Sequence, residues 1–198
     1  TKPTKSTPSL LTFNEVTTLF HEFGHALHAM NAKTTYPSLS GASVYWDFVE
    51  LPSQLMENWC FEKEALELFA RHYKTDEVIP IDYIEKIKKS SNFMEGLQTT
   101  RQVSFGMLDM SWHDLSNTDE INDVKGHEKE AFDPTELLPE VDNNCMSTAF
   151  GHIFQGGYSA GYYSYKWAEV LDADAFEFFK EKGIFNTKVA TTYKENIL

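Results

Sequence analysis

The chain has 198 residues, of which 41% are hydrophobic and 14% aromatic, enough for one sizeable core or at most two small ones. Its formal net charge of −13 disfavours nucleic acid and acidic membrane surfaces as partners, because like charges repel. The apolar runs are far shorter than the roughly 20 residues that a membrane-spanning helix needs. The two cysteines, Cys60 and Cys145, form no CxxC motif and predict buried free thiols, which favours a reducing, cytoplasmic compartment.

Both ends of the sequence predict a piece of a longer polypeptide. The opening TKPTKSTPSLLTFNE has no initiator Met and no basic or apolar leader segment. The closing YKENIL follows a helical pattern without a Gly or Pro stop signal. We therefore expect residues 1–198 to be a single piece of a longer chain, truncated at both ends.

The first predicted helix spans residues 13–31. It follows the capping-box sequence TFNE, with Thr12 as N-cap and Glu15 at the third helical position. Apolar residues then recur at steps of three and four: Phe13, Val16, Phe20, Phe23, Leu27 and Met30. Residues 32–46 contain Pro37 and Gly41 and predict a loop, with at most a short β segment near 35–45.

The remaining elements are also helical, so the predicted fold class is mainly α. A second long helix is predicted over 47–73, with Pro52 in its first turn or at a kink. A third is predicted over 81–114, with a break near residues 90–91, and a last one over 159–181 after the Gly156–Gly157 break. Residues 116–144 are rich in Asp, Glu, Asn and Gly and predict an irregular segment with at most short helices.

The pentapeptide HEFGH, His21 to His25, is the strongest chemical motif in the chain. Positions i and i+4 lie on one face of a helix, so both histidines can aim a ring nitrogen at one tetrahedral metal ion. Glu22 lies about 100° further round the helix and can reach a metal-bound water. The metal lowers the pKa of that water, and the carboxylate accepts its proton and passes it to the leaving amine.

The motif alone is short enough to arise by chance, and a catalytic zinc also needs a third protein ligand. His28 lies on the same helix face but one turn too far along, and we assign it to packing or to support of a ligand. The segment DFVELPSQLMENW supplies Asp47, Glu50 and Glu57. Glu50 and Glu57 share a helix face, so one could bind the metal while the other orients a histidine, and spacing alone does not choose between them. The alternative is a helix with solvated acids and an N-cap at Asp47.

Three longer stretches carry a family resemblance: FHEFGHALH, SGASVYWDFVELPSQLMENW and FGHIFQGGYSAGYYSYKWAEV. Together they resemble the thimet oligopeptidase family of zinc metallopeptidases, in the branch of bacterial oligopeptidase A and the peptidyl-dipeptidases. The resemblance spans residues 10–179 and is weak over 115–145. It implies a zincin-type helical catalytic domain that binds one Zn²⁺ through His21, His25 and Glu50, with Glu22 as general base. Glu57 is then expected to orient a ligand.

The third stretch contains tyrosines at spacings of four and three, predicted to lie on one face of the last helix. From the residues alone, an aromatic core stripe is the main alternative. The resemblance implies that Tyr165 and Tyr158 stabilise the oxyanion, and that His152 and Tyr162 contact substrate. The stretch SLSGAS could bind an extended peptide through its backbone, with Gly41 allowing close approach, although an ordinary turn explains it equally well.

The predicted function is a zinc-dependent endopeptidase that hydrolyses short oligopeptides through a metal-bound water. The alternatives are a peptidyl-dipeptidase that releases C-terminal dipeptides and a non-catalytic helical module that binds peptides. The expected partners are short peptides and the missing N-terminal part of the same parent chain. The isolated piece is expected to hold zinc, since all three ligands are present, but not necessarily to be active.

Overall fold

A computed structural model describes residues 2–116, 120–139 and 141–198. Over these residues the protein is mainly α, as predicted, with ten α-helices and one isolated β-bridge between Arg71 and Val78. The chain divides into two compact units. The first comprises Thr1–Phe93 and Ala168–Leu198, and the second comprises Met94–Trp167. None of the described helices is both long enough and apolar enough to cross a membrane.

The first helix, α1 (Phe13–Asn31), has the predicted bounds. Its capping box is formed in both directions, since the Glu15 N–H donates to Thr12 Oγ1 and the Thr12 N–H donates to Glu15 Oε2. The box satisfies two backbone donors that a helix start would otherwise leave without partners. Sequence pattern and cap therefore determine where the helix with the HEFGH motif begins.

The loop after α1 contains no strand among its described residues. A short 3-10 helix at Pro37–Leu39 lies within residues 35–45, where the sequence predicts at most a short β segment. Gly41 has a left-handed φ of +58°, and a Cβ built on it would lie 2.9 Å from the Ala29 Cα. A residue with a side chain would therefore be strained and would also clash with α1. The need for glycine here is explained by contact with the chain's own helix.

The predicted long helix over 47–73 is wrong, because the structure divides it into three pieces. These are α2 (Leu51–Glu57), a 3-10 helix (Asn58–Phe61) and α3 (Lys63–Phe69), with Glu62 in an extended conformation between the last two. The apolar spacing continues through the break, so periodicity could not reveal it. Pro52 lies in the first turn of α2, where its missing N–H costs no hydrogen bond.

The core of the first unit is built around Trp59. Its ring packs edge-on against Phe176 and Phe179, with centroid distances of 4.9 and 5.0 Å, and its Nε1–H donates to the Ile184 carbonyl. The helices that complete this unit are α4 (Ile81–Ser91), the later turns of α9 (Ser164–Lys182) and α10 (Thr187–Asn196). The last of these was not predicted. Cys60 is a buried free thiol, as predicted, whereas Cys145 is a free thiol that is only half-buried.

The second unit contains α5 (Glu95–His113), α6 (Val124–Phe132), α7 (Met146–Ala149), α8 (His152–Gln155) and the first turn of α9. The break between α4 and α5 confirms the predicted interruption near residues 90–91. The segment 116–144 is irregular apart from α6 and a 3-10 turn, as predicted, although residues 117–119 and 140 lie outside the described residues. The last predicted helix begins later than expected, at Ser164 rather than 159.

Candidate metal centre

Two histidines of α1 and one glutamate come together in the first unit. The Nε2 atoms of His21 and His25 lie 3.2 and 3.3 Å from Glu50 Oε2. One potential ligand atom from each of the three residues lies within 4.8 Å of the other two. The i, i+4 spacing in HEFGH therefore places both imidazoles on one face, and the chain after the Gly41 loop brings a carboxylate to meet them.

Glu50 is held in place by its own helix. It is the N-cap residue of α2 and is only 2% exposed. Ser53 Oγ lies 2.8 Å from Glu50 Oε2 and 2.9 Å from the Glu50 carbonyl oxygen, so the hydroxyl can donate to either. A buried carboxylate without partners would be costly, and the serine and the two histidines supply them here.

Gly24, inside the HEFGH motif, allows α1 and α2 to approach closely. A Cβ built on Gly24 would lie 2.5 Å from the Ser53 Cα and closer still to the Pro52 carbonyl oxygen. Both are backbone atoms, so a side chain at position 24 would push the two helices apart. The glycine thus explains how Glu50, two residues before Pro52, reaches the histidines.

Glu57 contacts the other ring nitrogen of His21. Its Oε1 lies 2.7 Å from His21 Nδ1, so a protonated Nδ1 donates to Glu57 while Nε2 faces Glu50. Burial, the largest single influence, lowers the pKa of His21, but hydrogen bonds to Glu50 and Glu57 outweigh it and raise the pKa to about 9. A metal ion would therefore have to compete with a proton for this imidazole.

The donor set and its spacing suit a zinc ion. Two imidazole nitrogens and one carboxylate oxygen with room for a fourth ligand are typical of catalytic zinc sites. Donors at about 2.0–2.1 Å from a tetrahedral centre lie about 3.3–3.4 Å apart, close to the observed nitrogen–oxygen distances of 3.2 and 3.3 Å. The distance from Glu50 Oε2 to each imidazole nitrogen therefore suits one tetrahedral zinc ion bound by these three residues.

Three other residues considered from the sequence do not belong to the group of His21, His25 and Glu50. Glu22 is exposed on α1, and its carboxylate is paired with no other side chain in the part of the chain that the structure describes. Asp47 is neither part of the metal-binding group nor the N-cap of α2, which is Glu50. His28 is only 4% exposed and packs edge-on against the Phe48 ring, which agrees with its assignment to packing. Burial, and secondarily the charge of His25, lowers the pKa of His28.

The predicted tyrosines form a cluster in the second unit, although not on one helix face. Tyr158 and Tyr162 precede α9, and only Tyr165 lies within it, so the predicted helical stripe is wrong. A turn brings the rings together instead. Tyr158 stacks on Tyr165 at a centroid distance of 5.0 Å, and His152 Nε2 lies 3.1 Å from the Tyr165 hydroxyl.

The phenol of Tyr162 already has a protein partner. Its hydroxyl donates to Gln102 Oε1 at 2.9 Å, and its ring packs against Phe105 and Phe150. Burial raises the pKa of Tyr162, while the nearby Arg101 acts in the opposite direction. Tyr158 is 9% exposed, Tyr165 is half-buried and His152 is exposed.

Sequence reasoning missed the buried acids that support the second unit. Asp109 is fully buried and accepts the backbone N–H groups of Ala160 and Tyr162. Glu128 is 6% exposed and accepts those of Met146 and Ser147. A weak signal existed for Asp109, since His113 follows it by four residues on the same helix face. Glu128 lies among many surface acids of α6 and its flanks, and nothing in its spacing distinguished it.

The whole chain, residues 1–198, matches the sequence profile of Peptidase family M3. The chain belongs to this family. Among its relatives are "Oligopeptidase A" from Haemophilus influenzae, 43% identical over 99% of this chain, and "Probable cytosolic oligopeptidase A" from Arabidopsis thaliana, 41% identical over 95% of it. "Dipeptidyl carboxypeptidase" from Escherichia coli is 37% identical over all of it. The resemblance to the thimet oligopeptidase family is thereby confirmed.

The match with these members of peptidase family M3 covers only part of their length. The chain spans 29% of the Haemophilus influenzae and Escherichia coli relatives and 27% of the Arabidopsis thaliana one. Both described units fall within the family match.

Proposed function

We propose that these 198 residues are the zinc-bearing part of a longer endopeptidase of family M3 that hydrolyses short oligopeptides. The observation that carries the proposal is the meeting of His21 Nε2, His25 Nε2 and Glu50 Oε2, beside an exposed glutamate on the same helix. A protein that only bound peptides would not need a base next to two convergent imidazoles. The family match and the relatives' names support peptide hydrolysis as the reaction.

His21, His25 and Glu50 would hold the metal. When bound, zinc supplies a Lewis acid that polarises the peptide carbonyl and makes water nucleophilic near neutral pH. Glu57 Oε1 lies 2.7 Å from His21 Nδ1 and would keep the imidazole proton on that nitrogen. The lone pair of Nε2 would then be available to bind the metal. Ser53 Oγ similarly orients the Glu50 carboxylate.

Glu22 would act as the general base. Its exposed carboxylate accepts a proton from the attacking water and returns it to the amine of the departing peptide. Because Glu22 lies one residue after His21, about 100° round the helix, it would not share the direction of the two imidazoles but could reach a water molecule beside them. Glu22 therefore transfers protons but is not a metal ligand.

The cluster in the second unit is proposed to bind substrate and the transition state. The Tyr165 and Tyr158 hydroxyls would donate to the oxyanion that forms when the peptide carbonyl is attacked. His152 and Tyr162 would contact substrate side chains or backbone. The 3.1 Å separation of His152 Nε2 from the Tyr165 hydroxyl supports a shared role, since each orients the other. For Gly41 we retain the proposal of backbone contact with an extended peptide.

A peptidyl-dipeptidase is the second candidate, because a "Dipeptidyl carboxypeptidase" is among the relatives. The two activities differ in the need for a free C-terminus. Incubation with one peptide in free-acid and C-terminally amidated forms, followed by mass spectrometry, distinguishes them. An endopeptidase cleaves both forms at internal bonds, whereas a peptidyl-dipeptidase releases dipeptides from the free acid only.

The partners follow from the same proposal. The substrates would be short peptides, and the N-terminal part of the parent chain would be the second partner. A cytoplasmic location is proposed from the two free thiols, in agreement with the name of the Arabidopsis thaliana relative.

The decisive experiment is Glu22→Gln in the full-length enzyme. The amide is the same size but cannot accept the proton, so kcat should fall by about 10²–10⁴-fold while bound zinc stays at one per chain. Glu64→Gln, which changes an exposed glutamate on α3, is the matched control and should keep wild-type kcat. Unchanged hydrolysis in Glu22→Gln would exclude this mechanism.

A further inference from the structure

Asp109 is a fully buried carboxylate with an unusual set of partners. It lies on α5, and its Oδ1 accepts the Ala160 N–H at 2.9 Å while its Oδ2 accepts the Tyr162 N–H at 2.8 Å. His113 Nδ1 lies 2.8 Å from the same Oδ1. Burying an acidic side chain is costly unless hydrogen-bond donors surround it. Here two of the donors belong to the turn that joins the clustered tyrosines.

That turn contains a residue with an unfavourable backbone conformation, which other contacts must stabilise. Ala160 has a φ of +54°, a left-handed conformation that is unfavourable for a residue with a Cβ. Within the turn, the Gly161 N–H donates to the Tyr158 carbonyl at 2.8 Å. The N–H of the left-handed residue, Ala160, is not part of that bond and donates to Asp109 instead.

The same face of α5 holds Tyr162 at a second point. Gln102 lies seven residues before Asp109, two helical turns along one face, and its Oε1 accepts the Tyr162 hydroxyl at 2.9 Å. Tyr162 is therefore fixed at its backbone by Asp109 and at its phenol by Gln102. Tyr158 and Tyr165 lie on either side of this fixed segment, so its conformation determines where their rings meet.

We propose that Asp109 is a positioning residue for the Tyr158 and Tyr165 phenols, acting through the 160–162 turn. The inference rests on the proposed role of those phenols in peptide hydrolysis. Asp109 is fully buried and would not touch substrate, and its effect is to hold the two phenols in their observed arrangement. A displacement of about 1 Å is enough to reduce such a contribution by roughly 10²-fold.

The test is Asp109→Asn in the full-length, zinc-loaded enzyme. The control is Asp114→Asn, which changes the exposed C-cap residue of α5. The asparagine retains one oxygen acceptor but turns an NH₂ group toward one of the two backbone N–H groups. We expect kcat to fall roughly 10²-fold, with KM changed far less and zinc content unchanged. Hydrogen–deuterium exchange should become faster in peptides covering 158–165 but not in those covering 187–196.

A second variant disturbs the turn without touching the buried carboxylate. Ala160→Val places a β-branched residue at a positive φ on an exposed position, and should give the same fall in kcat and the same faster exchange. In Asp109→Asn, adding Ala160→Gly should recover part of kcat, because glycine adopts this φ without strain. This rescue is not expected if Asp109 only stabilises the fold elsewhere.

Two results would overturn the inference, and they are distinguishable. If Tyr165→Phe lowers kcat while Asp109→Asn and Ala160→Val keep at least half of the wild-type kcat, the phenol acts without being positioned by Asp109. If Tyr165→Phe itself keeps wild-type kcat, the proposed role of the phenol is wrong, and Asp109 has no catalytic effect to exert through it.

Discussion

His21 has the most completely defined surroundings of the three proposed zinc ligands. Both of its ring nitrogens face carboxylates, Nε2 toward Glu50 and Nδ1 toward Glu57. His25 has only Nε2 so placed, because its buried Nδ1 has no hydrogen-bond partner in the described residues. Two carboxylates therefore orient His21 through both of its ring nitrogens, whereas His25 is oriented by Glu50 through Nε2 alone.

This asymmetry leads to a prediction for Glu57. Glu57→Ala removes the acceptor for His21 Nδ1–H, so the zinc dissociation constant should rise about 10–100-fold. Glu57→Gln should have a smaller effect, because its amide oxygen can still accept that hydrogen bond. Competition with a chromophoric chelator measures both constants, and Glu64→Gln serves as the surface control. Equal zinc affinity in wild type and Glu57→Ala would show that Glu57 does not support the site.

Glu128 allows a prediction about acid stability. Burial, the largest influence, raises its pKa, but hydrogen bonds from Ser147, Met146 and Cys145 outweigh it and leave the pKa below the ordinary 4.5. A carboxyl with a lowered folded pKa stabilises the protein above its unfolded pKa, and the contribution disappears as pH falls through the folded value. Glu128→Gln should therefore lower the free energy of unfolding at pH 7, and the difference from wild type should shrink below about pH 4.5.

Urea unfolding at a series of pH values measures this difference for Glu128. The matched control is Glu130→Gln, an exposed position on the same helix, which should show no such pH dependence. A difference between wild type and Glu128→Gln that stayed constant from pH 7 to below pH 4 would contradict the assigned ionisation.

At the level of elements, the chain's own patterns predicted the helices whose ends carry a local signal. The capping box predicted the start of α1, and residues 90–91 marked the gap between α4 and α5. The break at Glu62 was missed because the apolar spacing continues across it, and extended backbone at one residue leaves no mark in the pattern. The tyrosine turn was missed because its left-handed residue is Ala160, where a glycine would have signalled it.

The pairing of α1 with α2 is the contact between elements on which the proposed metal centre depends. The sequence pattern supplied the two histidines and limited the third ligand to a few acids, but spacing alone could not choose Glu50. That choice depends on how closely the helices pack, and Gly24 permits a contact that no other residue would allow. Only the resemblance to a known family identified Glu50, and not Asp47 or Glu57, as the expected third ligand.

Gly24→Ala tests this packing directly. The added methyl group would overlap the backbone of Pro52 and Ser53, so α1 and α2 must separate and Glu50 must move away from the histidines. We expect zinc affinity to fall at least tenfold and the metal-free protein to be destabilised by about 1–3 kcal/mol. Chelator competition and thermal unfolding measure the two effects.

Gly96→Ala is the control for that variant. A Cβ at Gly96 would have no neighbour within 4 Å, and the position lies in the first turn of α5. Because alanine is the better helix former, this variant should be neutral or slightly stabilising. Wild-type zinc affinity in Gly24→Ala would show that the helices tolerate separation and that the close contact does not set the site.

For the whole molecule, the three proposed metal ligands connect the part of the chain before the Gly41 loop to the part after it. His21 and His25 belong to α1, whereas Glu50 begins α2, which leads into the Trp59 core. A metal ion bound to all three would link these segments only in the folded state. Metal binding should therefore stabilise the fold by mass action, independently of any catalytic activity.

Zinc removal from the 198-residue chain measures this coupling. At free zinc 100-fold above its dissociation constant the folded state gains about 2.7 kcal/mol, which for a chain of this size raises the midpoint of thermal unfolding by roughly 5–10 °C. Chelation should reverse the rise, and re-addition of zinc should restore it. Glu50→Gln should lose most of the effect, because an amide oxygen is a far weaker zinc ligand than a carboxylate. An equal rise in Glu50→Gln and wild type would place the zinc elsewhere on the chain.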